Sequence, residues 1–233
     1  MASLASEGAD VQGLFNRVAE RYDAANRVMS AGVDVLWRRK AIGRLLDGLG
    51  AEPRLLDLGA GTLDGAIELA RRAPGARIAA ADFAREMLRV GRHKIPADAR
   101  IDTHAADGHH LPYRAAAFDG AFSAFCVRNL SDLSRGMSEL RRVIRPGGRV
   151  VILEFFRPEK PRFFFDKIYN AHLLPLVGWA VTGDRAAYRY LPASIEKFAS
   201  VGEFEAVLRA AGFAAVESQA LFPSGVASMV VAS

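Results

Sequence analysis

The sequence predicts an α/β fold with a mostly parallel sheet, and three observations carry that prediction. From residue 54 onward, short apolar runs alternate with helical patterns, the order expected of parallel strands joined by crossover helices. The run LLDLGAGTLDGAIELA, residues 55–70, reads as a strand, a glycine turn and a helix in succession. Acidic residues close or follow successive strands, at Asp57, Asp82 and Asp107, where an open sheet has its ligand crevice.

A chain of 233 residues suits one domain carrying an insertion better than two domains. Hydrophobic residues make up 51% and charged residues 24%, enough apolar matter for a core without staples. The single cysteine, Cys126, excludes an internal disulfide and fits a reducing, cytoplasmic compartment. The N-terminal MASLASEGAD lacks the basic start and apolar stretch of a signal peptide. The most apolar stretch, Leu173 to Val181, is too short to span a bilayer and contains Pro175 and Gly178. The net charge of +5 is dispersed in short groups such as Arg38-Arg39-Lys40, with no interleaved aromatics of an RNA-binding signature. A solvated surface explains it, with peripheral attraction to an anionic inner-membrane surface as the alternative and nucleic acid not expected.

In order, Val11, Leu14, Phe15, Val18, Ala19 and Tyr22 recur at helical spacing behind Asp10, and NRVMSAG reads as a loop. A second helix carries Ile42, Leu45, Leu46 and Leu49. The strands expected are Arg54–Leu58, Arg77–Ala81, Arg100–His104, Phe118–Phe125 and Arg149–Phe155. A helix near Glu203–Ala210 follows, with Ser200 and Glu203 spaced as a capping box. Strands Ala214–Leu221 and Val226–Ala232 then close as an antiparallel hairpin at the sheet edge. This divides the chain into an N-terminal helical cover (1–50), a core (51–155), an insertion (156–199) and a C-terminal completion of the core (200–233). The insertion, rich in aromatics and turn formers, reads as a substrate cover or as a helical subdomain that thickens the core.

Gly59 and Gly61 permit a tight turn and close backbone approach by a ligand. Asp82 lies 23 positions beyond Gly59, near the spacing at which a carboxylate meets ribose hydroxyls. A nicotinamide enzyme shares that spacing, but Asp64 occupies the third glycine position of its fingerprint. Asp107 is placed to reach an adenine amino group, so the ordered acids suit an adenosyl ligand without pyrophosphate. Asp57 either approaches an amino group of that ligand or caps the glycine turn. His109 and His110 are chemically capable bases, or else solvent-facing loop residues. Cys126 reads as a small packing residue.

The segments FNRVAERYDAANRVMSAGVDVLWRR, LLDLGAGT, ADFAREML, DGHHLPY, FCVRNLSD, LRRVIRPGGRVVILEF and LLPLVGWAVTGDRAAYRYLPASI together resemble the UbiE/MenG family of ubiquinone and menaquinone biosynthesis C-methyltransferases. The likeness runs from about residue 14 to the end. It implies a Rossmann-like, seven-stranded class I methyltransferase fold whose cofactor is S-adenosylmethionine. It implies cofactor contacts at Thr62, Asp82 with Phe83, Asp107 with Gly108, and Ala124, beside the glycine loop. Arg128 and Asn129 become candidate catalytic residues at a prenylated quinol, Arg128 as an electrostatic stabiliser because its pKa is too high for a base. Arg128 as an ordinary ion-pairing residue is the alternative. Tyr22, Tyr188 and Tyr190 become substrate candidates, or packing aromatics. Phe163, Phe164, Phe165, Leu173, Leu174, Leu176 and Trp179 of the insertion are expected at the prenyl tail or on a bilayer, and no metal is implied.

The chain also departs from the family pattern. Leu63 replaces a glycine and is expected to crowd the methionine end or to forbid a positive φ. Ala124 replaces a serine that contacts the cofactor, at a cost of roughly 1 kcal/mol. The ending VASMVVAS lacks the usual basic-aromatic terminus. A methyltransferase of another small molecule and a non-methylating binding protein of the same fold are the rival readings. Acceptor ring and oligomeric state stay open at the level of sequence.

Overall fold

The computed structural model describes residues 12–17, 19–30, 32–159, 185–222 and 227–233. Residues 12–17 are helical and lead through a short 3₁₀ turn into α1 (Tyr22–Ser30) and α2 (Val33–Leu46). The core then runs β1 (Arg54–Leu58), α3 (Asp64–Arg72), β2 (Arg77–Asp82), α4 (Arg85–Arg92), β3 (Ile101–Ala105) and β4 (Phe118–Ala124). It continues with α5 (Leu133–Val143), β5 (Ile144–Phe155), α6 (Arg185–Lys197), α7 (Val201–Ala210), β6 (Val216–Ala220) and β7 (Ala227–Ala232). The insertion residues Phe163, Phe164, Phe165, Leu173, Leu174, Leu176 and Trp179 lie outside the described residues, as does Asp10.

The sheet has seven strands in the order β3-β2-β1-β4-β5-β7-β6. β1 pairs parallel with β2 and β4, β3 with β2, and β5 with β4, while β7 is antiparallel to both β5 and β6. The strand order reverses between β1 and β4, and such a switch point leaves a crevice at the carboxyl ends of the strands. Burial follows the two-residue period of the pleat. Leu56, Val150 and Ile152 face one apolar layer with Met137, Leu140, Phe204 and Leu208 from α5 and α7. Leu55, Val151 and Leu153 face the other, with Trp37, Ile42, Leu45 and Leu69 from α2 and α3. The sheet is therefore covered on both faces, as parallel strands require.

Local signals place the helix ends. Ser200 Oγ accepts from Glu203 N while Glu203 Oε2 accepts from Ser200 N at 2.7 Å, so α7 begins with the capping box its sequence spells. Asp132 caps α5, accepting from Arg135 N at 2.9 Å. NRVMSAG is not a loop: Asn26 to Ser30 continue α1, and the chain turns at Gly32 with φ 77°. Long-range ion pairs stabilise that helical turn, because Arg27 reaches Asp34 at 2.5 Å and Asp64 at 2.7 Å.

Leu63 corrects a second expectation. Its backbone keeps a left-handed φ of 70° despite the branched side chain, which is fully buried and turned away from the crevice. Gly91 in α4 makes room for it, since a Cβ there would stand 2.6 Å from Leu63 Cγ. The strain of a leucine in this region is about 1–2 kcal/mol, while emptying its pocket costs about 2–5 kcal/mol. Leu63→Gly is therefore expected to lower unfolding stability by about 1–3 kcal/mol, read by urea denaturation. A stabilised variant would mean that strain outweighs packing.

Candidate active site

The carboxyl ends of β1 to β4 open into a cavity of about 410 Å³, within the range of small-molecule sites. Leu58 and Gly59 at the end of β1, Asp82 and Phe83 at the end of β2, and Asp107 and Gly108 after β3 line it. Ala124, Phe125, Cys126 and Asn129 line it from the β4 side, and Tyr22 from α1.

The glycine loop is shaped from two sides. Gly59 N and Ala60 N donate to Ala81 O at 2.8 and 3.0 Å. Gly59 has φ 71°, and a Cβ on it would collide with the Cys126 side chain. Asp82 fixes the second glycine: its Oδ2 accepts from Gly61 N at 2.8 Å and its Oδ1 from Ala84 N at 2.7 Å. Burial pushes the Asp82 carboxyl above its ordinary pKa, against those amides and Phe83 N, which pull it down. A carboxylate has about four acceptor positions, so with three amides bound Asp82 keeps about one for a ligand hydroxyl.

The N-terminal helices close over this loop through an ionic network. Thr62 Oγ1 donates to Asp23 of α1 at 2.5 Å, and Lys94 Nζ bridges Asp23 and Asp64 at 2.7 and 2.8 Å. Asp64 sits below the usual carboxylate range: burial raises it, but Lys94 and Arg27 outweigh burial. Gln12 Nε2 donates to Phe83 O at 2.6 Å, and Asn16 Oδ1 accepts from Glu86 N at 3.2 Å. Residues 12–17 thus lie across the turn after β2, with Gln12 and Phe15 on the cavity.

On the β4 side, Phe125 holds a left-handed φ of 57°, a conformation that costs an aromatic residue about 1–3 kcal/mol. Neighbours pin it there. Its N–H donates to Leu153 O at 2.7 Å, its carbonyl accepts from Arg128 Nη1 at 2.8 Å, and its ring stacks on Phe155 at 4.7 Å. Arg128 Nη1 also donates to Glu154 Oε1 at 2.6 Å, and Arg128 Nε reaches Ser194 Oγ of α6 at 3.3 Å. Both ionic side chains are buried, at 5% and 0% exposure. Burial pushes the Glu154 carboxyl up, while Arg128 and the amides of Phe155 and Arg128 pull it down. Tyr190 OH donates to Asn129 Oδ1 at 2.8 Å.

The structure thus brings together Gly59, Gly61, Asp82, Phe83, Asp107, Gly108, Ala124, Asn129 and Tyr22. Asp57, Thr62, Arg128 and Tyr190 stand behind the lining. Asp57 accepts from Ala66 N at the start of α3, and its Oδ2 has no partner among the described residues. The Tyr188 side chain lies outside the described residues. Cys126 does line the cavity, but burial pushes its thiol pKa well up, which suits a packing role against Gly59. Gln12, Phe15, Met87, Leu130 and Ser131 are lining residues that sequence reasoning did not single out. Only Phe15 carried a signal, as part of the first apolar helical face.

The model of the ubiE/COQ5 methyltransferase family matches residues 3–233. The chain belongs to that family. The demethylmenaquinone methyltransferase of Thermus thermophilus is 42% identical over 86% of this chain and 91% of its own. The ubiquinone/menaquinone biosynthesis C-methyltransferase UbiE of Geotalea daltonii is 38% identical over 91% of this chain and 92% of its own. The fold is shared with Haemonchus contortus phosphoethanolamine N-methyltransferase 2, solved with S-adenosylhomocysteine, at a TM-score of 0.62 and 21% identity. That match covers 80% of this chain and 39% of the other. Membership makes the chain a methyltransferase of the class I fold, and the glycine loop, Asp82 and Asp107 gather on one cavity.

Proposed function

We propose that this methyltransferase moves the methyl group of S-adenosylmethionine to a ring carbon of a prenylated quinol of the menaquinone or ubiquinone series. One observation carries the reading: a single cavity joins Gly59, Gly61, Asp82 and Asp107 to Phe125, Asn129 and Tyr22. The residues fit an adenosyl group, because bare glycine backbone stands beside two carboxylates with unused acceptor positions. Gly59, Gly61, Asp82 and Asp107 with Gly108 would hold it. When bound, S-adenosylmethionine supplies an electrophilic methyl group on a sulfonium.

The chain's own work is alignment and charge. Asn129, its Oδ1 occupied by Tyr190, presents its amide N–H groups to a quinol oxygen. Arg128 does not touch the cavity, so it acts as a positioning residue: it holds the Phe125 carbonyl and, through its own backbone, Asn129. Its charge reaches the site as well. Burial raises the pKa of both Tyr22 and Tyr190, and the Arg128 field pulls each back toward ionisation. The same field favours loss of the quinol proton, which builds electron density on the adjacent ring carbon. Holding the reactants in one cavity supplies much of the remaining rate.

A prenyl tail belongs in a bilayer, so the reading includes peripheral contact with the cytoplasmic membrane face. Exposed Leu36, one turn from Arg39 and Lys40 on α2, and exposed Phe222, whose carbonyl accepts from Trp37 Nε1 of the same helix, support it. No helix among the described residues is long and apolar enough to cross a membrane. The test is transfer from labelled S-adenosylmethionine to chemically reduced demethylmenaquinol and to the matching benzoquinol, each in liposomes. Label on the ring carbon is expected, and the two yields decide the acceptor. Folded protein that labels neither quinol would refute the reaction, and protein that never sediments with loaded liposomes would end the membrane part.

A further inference from the structure

The His109 ring lines the cavity, yet the reaction as proposed does not use it. Its Nδ1 lies 2.6 Å from Asp107 Oδ1, and the same oxygen accepts from His109 N at 2.9 Å. Its Nε2 accepts from Asp132 N at 3.1 Å, at the N-cap of α5. An amide donor on Nε2 requires the lone pair there, so the proton sits on Nδ1 and points at Asp107. With 16% of its side chain exposed, the ring has no nitrogen left for a substrate proton without breaking one of these bonds. That removes it as a general base.

The bonds instead tie two cavity walls together. The loop after β3 also touches the loop after β4 at Gly108, where an added Cβ would stand 2.9 Å from Leu130 Cδ2. His110 meets Arg135 of α5 beside them. Because His109 makes both of its donations to Oδ1, Asp107 Oδ2 receives no bond from the described residues. Asp107 is held below the usual carboxylate range: burial raises it, but the His109 amide and ring outweigh burial.

We infer that His109 is a positioning residue for the donor's adenine, fixing the Asp107 carboxylate so that its free Oδ2 receives the 6-amino group. The inference rests on the proposal that the cavity binds S-adenosylmethionine. It makes discrimination between adenine and purines lacking the amino group depend on a residue that touches neither.

The test is calorimetric titration with S-adenosylhomocysteine and with its analogue lacking the 6-amino group. His109→Ala is expected to weaken S-adenosylhomocysteine about tenfold and the analogue less than twofold. His109→Asn, whose amide nitrogen falls near the place of Nδ1, is expected to restore most of the difference. Equal losses for both ligands in His109→Ala would mean a purely structural loop tie and would overturn the inference. So would an unchanged affinity, or a wild-type protein that binds both ligands alike. Wild-type protein that binds neither ligand would instead defeat the cofactor reading itself.

Discussion

Glu154→Ala is expected to cost about 3–5 kcal/mol of unfolding stability, the usual penalty for stranding a buried charge. Among the described residues the Arg128 guanidinium would keep the Phe125 carbonyl, Ser194 Oγ and the face of the Phe155 ring, in a place where 5% of its side chain meets solvent. Glu154 also accepts from Phe155 N at 2.8 Å and from Arg128 N at 3.3 Å, so two amides lose their acceptor as well. For a chain of this size the melting temperature should fall by roughly 10 °C. Glu154→Gln keeps an acceptor and should fall between. Replacing the pair together, Arg128→Met with Glu154→Leu, removes both charges and should return most of the lost stability. Methyl transfer should stay low in the double variant, because the positive φ of Phe125 and the field at the quinol both depend on Arg128. Calorimetry and labelled transfer read the two halves. A Glu154→Ala loss under about 1 kcal/mol would mean that water or another anion already serves Arg128.

How far the site could be read from the sequence follows from how far apart its partners stand. The glycine loop, Asp82 and Asp107 were legible because each sits at a strand end, and strand ends show as breaks in an apolar run. The sheet was legible for the same reason, down to the hairpin of β6 and β7. Arg128 and Asn129 could be named through the family resemblance, but their partners could not. Glu154 lies 26 residues away and Tyr190 lies 61 residues from Asn129, and no periodicity links such positions. The latch of Asp23, Thr62, Lys94 and Asp64 is hidden in the same way. In the sequence Thr62 stands as an implied cofactor contact and Asp64 as the residue at a third glycine position, and nothing joins either to Asp23 or Lys94.

Leu63 shows the opposite failure, in which a local rule was right about cost and wrong about outcome. A positive φ does strain leucine, but the rule cannot see Gly91 opening a pocket for the side chain 28 residues later. Arg128 shows a third kind. The strand-end ion pair and the electrostatic role were set against each other as alternatives; the structure shows the ion pair with Glu154, and a pair of that kind does not exclude an electrostatic role. Residue type and motif set those roles apart as rivals because neither shows where the partner carboxylate stands.

Asp57→Asn is expected to stabilise the protein at pH 8 and to remove a pH dependence present in the wild type. Asp57 is 2% exposed, its Oδ2 has no partner among the described residues, and its carboxyl is pushed up to about 7. Burial is the largest cause, opposed by Arg38 and the Ala66 amide. In the unfolded chain the same group titrates near about 3.9. Between those values the folded state binds a proton that the unfolded state has released, so stability falls as pH rises through this window. The fall approaches 1.4 kcal/mol per pH unit and sums to on the order of 4 kcal/mol by pH 7. Asparagine keeps an acceptor for Ala66 N and cannot ionise. Burial also raises the Asp82 and Glu154 carboxyls, so the useful quantity is the difference between variant and wild type at each pH. Urea denaturation from pH 4 to 8 should show that difference growing in favour of the variant up to about pH 7 and then levelling. A difference that stays flat across the range would mean that Asp57 is ionised in the fold, with Arg38 as a full partner. The carboxylate would then contribute to stability like any paired acid, and the unpartnered oxygen would have to be satisfied by water.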